Sequence, residues 1–143
     1  MESPANQIDE KLIDQSIQPD RFSGLKILAI DDEVDSLDIL TAILEQEGAT
    51  LIAVASAAEA MEVLSQTTPD LIISDIGMPE TDGYTLIEQI RDLPQGKNIP
   101  AIAFTAYANE IDRQYSLNAG YQKHLCKPII IPELIAAITE LIS

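Results

Sequence analysis

The sequence is poor in several residue types, and each shortage excludes a class of protein. It contains a single cysteine, Cys126, so no disulfide can form within the chain and a reducing compartment suits it. Only 8 residues are basic while 24 are acidic, and a surface with that balance repels nucleic acids and anionic membranes. No apolar run approaches the length of a membrane span, and no secretory signal follows Met1. We therefore expect a soluble, cytoplasmic protein that binds neither nucleic acid nor membrane.

Hydrophobic residues make up 46% of the 143-residue chain, but aromatic residues only 4%. This apolar content is enough for one folded domain, and its core must be aliphatic because the sequence offers few rings. Residues 1–23 are polar, contain Pro4 and Pro19, and lack a sustained pattern. We predict that they form a flexible N-terminal tail or linker and that the folded domain spans residues 24–143.

From Gly24 onward, short apolar runs alternate with segments whose apolar residues recur at helical spacing. The runs predicted to be strands are Leu25–Ile30, Leu51–Val54, Leu71–Ser74, Pro100–Phe104 and His124–Cys126. A helix is predicted after each of them. Five strand–helix repeats predict a doubly wound α/β fold, in which helices cover both faces of a parallel sheet.

Individual residues indicate helix ends and core positions. Ser56 and Glu59 form a capping box at the start of the second helix, and Gly48 ends the first helix. The residues of the last helix predicted to face inward are Leu134, Ile135, Ile138, Leu141 and Ile142. Cys126 should be a small buried hydrophobe, and Gly83 should supply an unusual backbone angle.

Five polar residues stand where predicted strands end. Asp31 and Asp32 follow the first strand, Asp75 the third, Thr105 the fourth and Lys127 the fifth. The carboxyl ends of parallel strands meet at one edge of the sheet, where ligands bind. Crowded carboxylates attract Mg²⁺, an aspartate oxygen can attack phosphorus, and a hydroxyl and an ammonium can stabilise phosphoryl oxygens. Each residue alone also has an ordinary explanation: capping for the aspartates, a strand position for the threonine and a surface position for the lysine.

These residues lie in segments that resemble the receiver domain of two-component response regulators. The segments are Leu28-Ala29-Ile30-Asp31-Asp32-Glu33, Asp70-Leu71-Ile72-Ile73-Ser74-Asp75-Ile76-Gly77-Met78-Pro79, Asp82-Gly83, Ile99-Pro100-Ala101-Ile102-Ala103-Phe104-Thr105-Ala106 and His124-Leu125-Cys126-Lys127-Pro128. They occur in order and span residues 24–143. The resemblance implies a flavodoxin-like sheet of five parallel strands in the order 2-1-3-4-5.

The resemblance also implies a role for each residue. Asp75 would be the phosphoacceptor, Thr105 and Lys127 would bind the phosphoryl group, and the bond between Lys127 and Pro128 would be cis. The ligands of Mg²⁺, or of Mn²⁺ in its place, would be Asp31 (largely through water), Asp32, Asp75 and the carbonyl of Gly77.

Three further positions correspond to family positions that modulate the response. His124, three residues before Lys127, takes the place of an aromatic switch residue, and we hypothesise that it swings inward when Thr105 moves toward the phosphoryl group. A partly exposed structural histidine is the alternative. Gly77 offers no side chain to position water and Tyr107 could shield the phosphorus, so we predict that phosphate loss is not especially fast.

The implied function is that of a phosphorelay receiver, which is not an enzyme toward other substrates. A histidine kinase or histidine phosphotransfer domain would donate the phosphoryl group to Asp75. A downstream partner would then bind the face formed by helix four, strand five and helix five. Residues 104–113 and 120–128 look similar to receivers attached to hybrid sensor kinases. The chain is therefore either a stand-alone docking module or the C-terminal receiver of a hybrid histidine kinase.

Two other classes of protein share part of the pattern. An aspartate-nucleophile phosphatase of the haloacid dehalogenase type needs a second aspartate two positions after the nucleophile, where this sequence has Gly77. A flavin-binding electron carrier needs a Ser/Thr/Gly-rich phosphate loop after strand one, where this sequence has Asp32-Glu33-Val34-Asp35. Both classes are less favoured than a receiver.

Overall fold

A computed structural model describes residues 21–78, 81–106 and 109–142 of the chain. Its strands are β1 (Lys26–Ile30), β2 (Thr50–Val54), β3 (Leu71–Ser74), β4 (Ala101–Thr105) and β5 (Lys123–Cys126). Its α-helices are α1 (Val34–Gln46), α2 (Ala57–Gln66), α3 (Gly83–Asp92), α4 (Glu110–Ala119) and α5 (Ile131–Ile142). Within this part of the chain, no helix combines the length and apolar character needed to cross a membrane.

The five strands form one sheet in the order β2-β1-β3-β4-β5, and every pairing is parallel. This arrangement confirms the predicted flavodoxin-like fold. Side chains alternate along each strand: in β1, Leu28 and Ile30 pack with α2 and α3, whereas Ile27 and Ala29 pack with α1 and α5. Because both faces are covered, the central strands are continuous apolar runs.

The structure confirms the predicted helix ends. The Ser56 hydroxyl accepts the N–H of Glu59 at 3.2 Å at the start of α2, as a capping box requires. Gly48 follows the end of α1 with a φ of 95°, a backbone conformation that glycine adopts without steric cost.

Two predicted core positions are wrong. Ile142 is 39% exposed because it ends α5, beyond the fully buried Ile138. Cys126 is half-buried, since β5 lies at the edge of the sheet formed by the described residues, where it pairs with β4. A helical period or an apolar run identifies the inward face of an element, but it does not show where the covering layer ends.

The described chain begins with residues that the sequence pattern assigned to the linker. Phe22 is only 2% exposed and joins the cluster between the sheet and helices α1 and α5. Its N–H donates to the carbonyl of Glu47 at 2.8 Å, and Arg21 forms an ion pair with the Glu47 carboxylate at 3.2 Å. The predicted tail otherwise covers residues 1–20, which lie outside the described residues, so that part stays a prediction.

Candidate functional site

An acidic crevice lies at the carboxyl edge of the sheet, where β1, β3, β4 and β5 end. Its volume is about 320 Å³, and the residues that line it include Asp32, Asp75, Gly77, Thr105 and Lys127. We call it the acidic crevice below. It brings together residues that are as many as 95 positions apart in the sequence (127 − 32).

Backbone hydrogen bonds fix the residues around the acidic crevice. The N–H of Asp31 donates to Val54 at 3.1 Å, that of Asp75 to Ile30 at 2.9 Å, and that of Lys127 to Thr105 at 2.8 Å. Each bond continues a strand pairing one residue beyond the strand itself. The functional side chains therefore start from a rigid backbone, which suits a site that must hold several groups in a set geometry.

Three aspartates meet in the crevice. Asp31, Asp32 and Asp75 each offer a carboxylate oxygen, and these three atoms lie within 4.8 Å of one another. Asp31 and Asp75 are buried while Asp32 is exposed. Burial raises the pKa of the Asp31 carboxyl, although hydrogen bonds from Lys127 and from the N–H of Glu33 oppose that shift. An all-oxygen donor set of this kind fits a hard divalent cation such as Mg²⁺.

The Lys127 ammonium faces this cluster. Its Nζ lies 2.7 Å from Asp31 Oδ2, 2.6 Å from Glu33 Oε1 and 3.4 Å from Asp75 Oδ2. Burial disfavours its charge, but the hydrogen bonds to Asp31 and Glu33 and the charge of Asp75 outweigh that effect and raise the pKa of Lys127. The lysine is therefore a fixed positive charge beside the carboxylates.

Capping of the loop accounts for only one of the two oxygens in each of the carboxylates of Asp31 and Asp75. Asp31 accepts the N–H of Glu33 at 2.9 Å and Asp75 accepts the N–H of Gly77 at 3.1 Å, each through its Oδ1. The other oxygen of each carboxylate faces Lys127. The N-cap of α1 is Glu33 itself, whose side chain makes no capping bond. In Asp31 and Asp75, Oδ1 thus accepts the hydrogen bond from the local loop, whereas Oδ2 faces Lys127 in the crevice.

His124 lies apart from the residues lining the crevice. Its Nδ1 is 2.9 Å from the hydroxyl of Ser116 in α4. That hydroxyl donates its hydrogen to the carbonyl of Asp112 at 3.0 Å, so its oxygen is left to accept from the imidazole. Tyr107 lies outside the described residues, and its predicted effect on hydrolysis stays a prediction. The peptide bond between Lys127 and Pro128 is cis.

Sequence reasoning gave no role to Glu33, which lines the crevice and binds Lys127. The available signal was a third acidic residue directly after Asp31 and Asp32. Capping and solvation explain such a residue equally well from sequence alone. Only the fold brings the carboxylate to a lysine 94 positions away.

Gly83 begins α3 beside the loop that carries Asp75, and its predicted role is wrong. Its conformation is helical rather than unusual. The requirement is space, because a Cβ at this position would lie 2.5 Å from the Asp75 carbonyl oxygen and 2.7 Å from the Cα of Ile76. Backbone atoms at such distances have to move before any side chain fits.

We therefore expect Gly83→Ala to lower the free energy of unfolding by about 1 to 3 kcal/mol, as overpacking does. Urea denaturation measures the change. Gln89→Ala, at an exposed position of the same helix, is the matched control and should have little effect. Equal stabilities of the two variants would contradict the steric explanation.

Known proteins are similar to this chain in sequence and in fold. The sequence model of the response regulator receiver domain matches residues 27–139. An uncharacterised 14.6 kDa protein from the sodA1 3′ region of Leptolyngbya boryana is 44% identical over 119 residues, which are 83% of this chain and 91% of that protein. The sensor histidine kinase CheAY of Helicobacter pylori is 35% identical over 104 residues, which are 71% of this chain and 13% of the kinase.

A solved structure adds a comparison of the fold and the cleft. The receiver domain of a sensor histidine kinase from Pseudomonas aeruginosa, with a magnesium ion coordinated in its active-site cleft, is 31% identical and has a TM-score of 0.78. The match covers 84% of this chain and 98% of that domain. The match to the family model, the strand order and the acidic cleft agree, and they confirm the resemblance drawn from the motifs. The chain belongs to the response regulator receiver domain family of two-component signal transduction.

Proposed function

We propose that this chain is a phosphorelay receiver that accepts a phosphoryl group on Asp75. One observation carries the proposal: the Asp75 carboxylate lies 3.4 Å from the Lys127 ammonium and beside the oxygens of Asp31 and Asp32. The nucleophile, the charge that stabilises phosphoryl oxygens and the donor set for a cation thus surround one crevice. The donor would be a phosphohistidine on a histidine kinase or on a histidine phosphotransfer domain.

In the proposed reaction, an Asp75 carboxylate oxygen attacks the phosphorus of the phosphohistidine. An O–P bond forms and the P–N bond breaks, and the imidazole leaves with the electron pair of that bond and takes up a proton. Lys127 binds a phosphoryl oxygen through its ammonium, and the Thr105 hydroxyl donates a hydrogen bond to another. Both groups would thus stabilise the charge that accumulates during phosphoryl transfer.

The same crevice would hold Mg²⁺, or Mn²⁺ in its place. The ligands would be Asp31 (largely through water), Asp32, Asp75 and the carbonyl of Gly77. When bound, the ion neutralises part of the charge of the carboxylates and of the phosphoryl group. The donor chemistry supports this assignment, since oxygens of the three aspartates lie within 4.8 Å of one another and Glu33 adds a fourth carboxylate beside Lys127.

The phosphorylated domain would act by shifting between two conformations. Phosphoryl contacts to Thr105 and Lys127 would pull the ends of β4 and β5. These strands lie next to α4 and α5 in the fold, so the face formed by α4, β5 and α5 would change and bind a downstream partner. The chain would work in the cytoplasm, either by docking a partner protein or as the receiver of a hybrid histidine kinase.

His124 would transmit the conformational change to α4. We expect it to leave Ser116 and turn inward when Asp75 carries a phosphoryl group or beryllofluoride, a phosphoryl mimic. The hypothesis rests on its position in β5, three residues before Lys127. Crystal structures with and without beryllofluoride would show the rotamer of His124 in each state. A His124 side chain that stays hydrogen-bonded to Ser116 in both states would refute it.

A phosphatase of the haloacid dehalogenase type stays the weaker alternative. It needs a general acid two positions after its nucleophile, and Gly77 instead donates its backbone N–H to Asp75 at 3.1 Å. We expect no turnover of p-nitrophenyl phosphate. Such a phosphatase would release phosphate continuously, whereas a receiver keeps it on the aspartate.

Phosphorylation with a small donor tests the proposed function directly. The full chain is incubated with acetyl phosphate, with Mg²⁺ or with excess EDTA, and its intact mass is then measured. We expect one phosphoryl adduct that requires Mg²⁺, has the lability of an acyl phosphate, and maps to the peptide that contains Asp75. An adduct on another residue, or none at any donor concentration, would refute the assignment.

A further inference from the structure

The hydrogen-bonding capacity of Lys127 is already used in the structure. An ammonium has three N–H donors, and three carboxylates surround this one, those of Asp31, Glu33 and Asp75. The two shorter contacts, 2.7 Å and 2.6 Å, go to Asp31 and Glu33, while Asp75 is 3.4 Å away. The phosphoryl group would be carried by Asp75, the most distant of the three carboxylates. The ammonium therefore has to move toward Asp75 to bind a phosphoryl oxygen, and one of the two short contacts has to lengthen.

The two short contacts differ in how easily they can be released. The Asp31 side chain is 6% exposed, so a departing ammonium would leave a buried charge without its partner, which is costly. The Glu33 side chain is 63% exposed, and its carboxylate can return to water at small cost. The contact that yields is therefore the one with Glu33.

We propose that Glu33 is a positioning residue, which holds Lys127 away from the phosphoryl position until a phosphoryl oxygen displaces it. This inference rests on the proposed function. The backbone of Glu33 stays in place during the exchange, because its N–H is held by Asp31, and only the side chain turns into solvent. Glu33 thus sets how strongly the acidic crevice binds a phosphoryl group.

Binding of beryllofluoride at saturating Mg²⁺, measured by isothermal titration calorimetry, tests this role on the full chain. Glu33→Ala releases one of the short contacts of Lys127 and should lower the Kd about two- to five-fold, which is the range expected for an exposed ion pair. Glu33→Asp keeps the charge but is one methylene too short to reach the ammonium, so it should lower the Kd by a similar factor. A through-space charge effect would instead leave Glu33→Asp like the wild type, and that result would overturn the proposal.

Two controls separate positioning from other effects. Asp35→Asn removes the same charge from an exposed residue two positions away and should leave the Kd within experimental error. In a Lys127→Met background, Glu33→Ala should have no further effect, because the lysine through which it acts is absent. An equal effect of Glu33→Ala with and without Lys127 would overturn the proposal.

The result for the wild-type chain separates this inference from the proposed function. If the wild type binds no beryllofluoride and accepts no phosphoryl group, both are refuted. If the wild type binds the mimic and Glu33→Ala leaves the Kd unchanged, the proposed function stands and the role of Glu33 is refuted.

Discussion

Replacing Asp75 by asparagine should reduce phosphorylation by acetyl phosphate to background. The side chain keeps its size, and its carbonyl oxygen can still accept the N–H of Gly77, which now lies 3.1 Å from Asp75 Oδ1. What it loses is the anionic oxygen that attacks phosphorus. It also loses the negative charge that faces Lys127 at 3.4 Å. The expected result is therefore a folded protein without a phosphoryl adduct, as measured by intact mass.

Asp82→Asn is the matched control for this substitution. Asp82 belongs to the same connection between β3 and α3, and it caps α3 by accepting the N–H of Thr85 at 2.8 Å. Asparagine caps a helix about as well as aspartate, so the charge change is the same while the fold is kept. Phosphorylation of this variant should resemble that of the wild type. An undiminished adduct in Asp75→Asn would show that another group is the nucleophile.

Phe22→Ala should lower the free energy of unfolding by about 3 to 5 kcal/mol, the usual cost of removing a buried aromatic ring. The ring is 2% exposed between the sheet and helices α1 and α5, and alanine would leave a cavity there. Urea denaturation followed by circular dichroism gives the change in midpoint. Ile39→Ala is the control, because Ile39 in α1 is 53% exposed and its loss should cost within about 0.5 kcal/mol.

Truncation of the N-terminus also tests how much Phe22 and its neighbour contribute to stability. A chain that starts at residue 24 should be strongly destabilised relative to one that starts at residue 21. The shorter chain loses both the Phe22 ring and the ion pair of Arg21 with the buried Glu47, and removal of one partner of a buried pair is costly. Equal stability of the two chains would show that the domain folds without these residues.

Patterns that are local in sequence predicted most of the fold. Apolar runs of three to six residues, each followed by an amphipathic segment, are sufficient to predict buried parallel strands, because the covering helices follow from the crossover connections. The observed strand β3 has the predicted bounds, and each end of the other four strands lies within one residue of the predicted end. The capping box at Ser56 depends only on neighbouring residues, and it too was predictable.

The sequence by itself also predicted that three residues, Asp31, Asp75 and Lys127, share the acidic crevice. Asp31, Asp75 and Lys127 each follow a strand directly, and the carboxyl ends of parallel strands lie at one edge of a sheet whatever the details of packing. The arrangement of these residues into a site for phosphoryl transfer came from the family resemblance rather than from periodicity. Their positions in the chain were sufficient to predict that they meet, but not which atoms contact one another.

The tertiary structure alone decided the contacts between distant residues. Nothing near Glu33 in the sequence indicates that its carboxylate binds Lys127, and nothing near Phe22 indicates that its ring is buried. The space that excludes a Cβ at Gly83 is likewise set by the backbone of another segment. The physical reason is the same in each case: periodicity fixes the direction of a side chain on its own element, whereas its partners depend on how separate elements pack together.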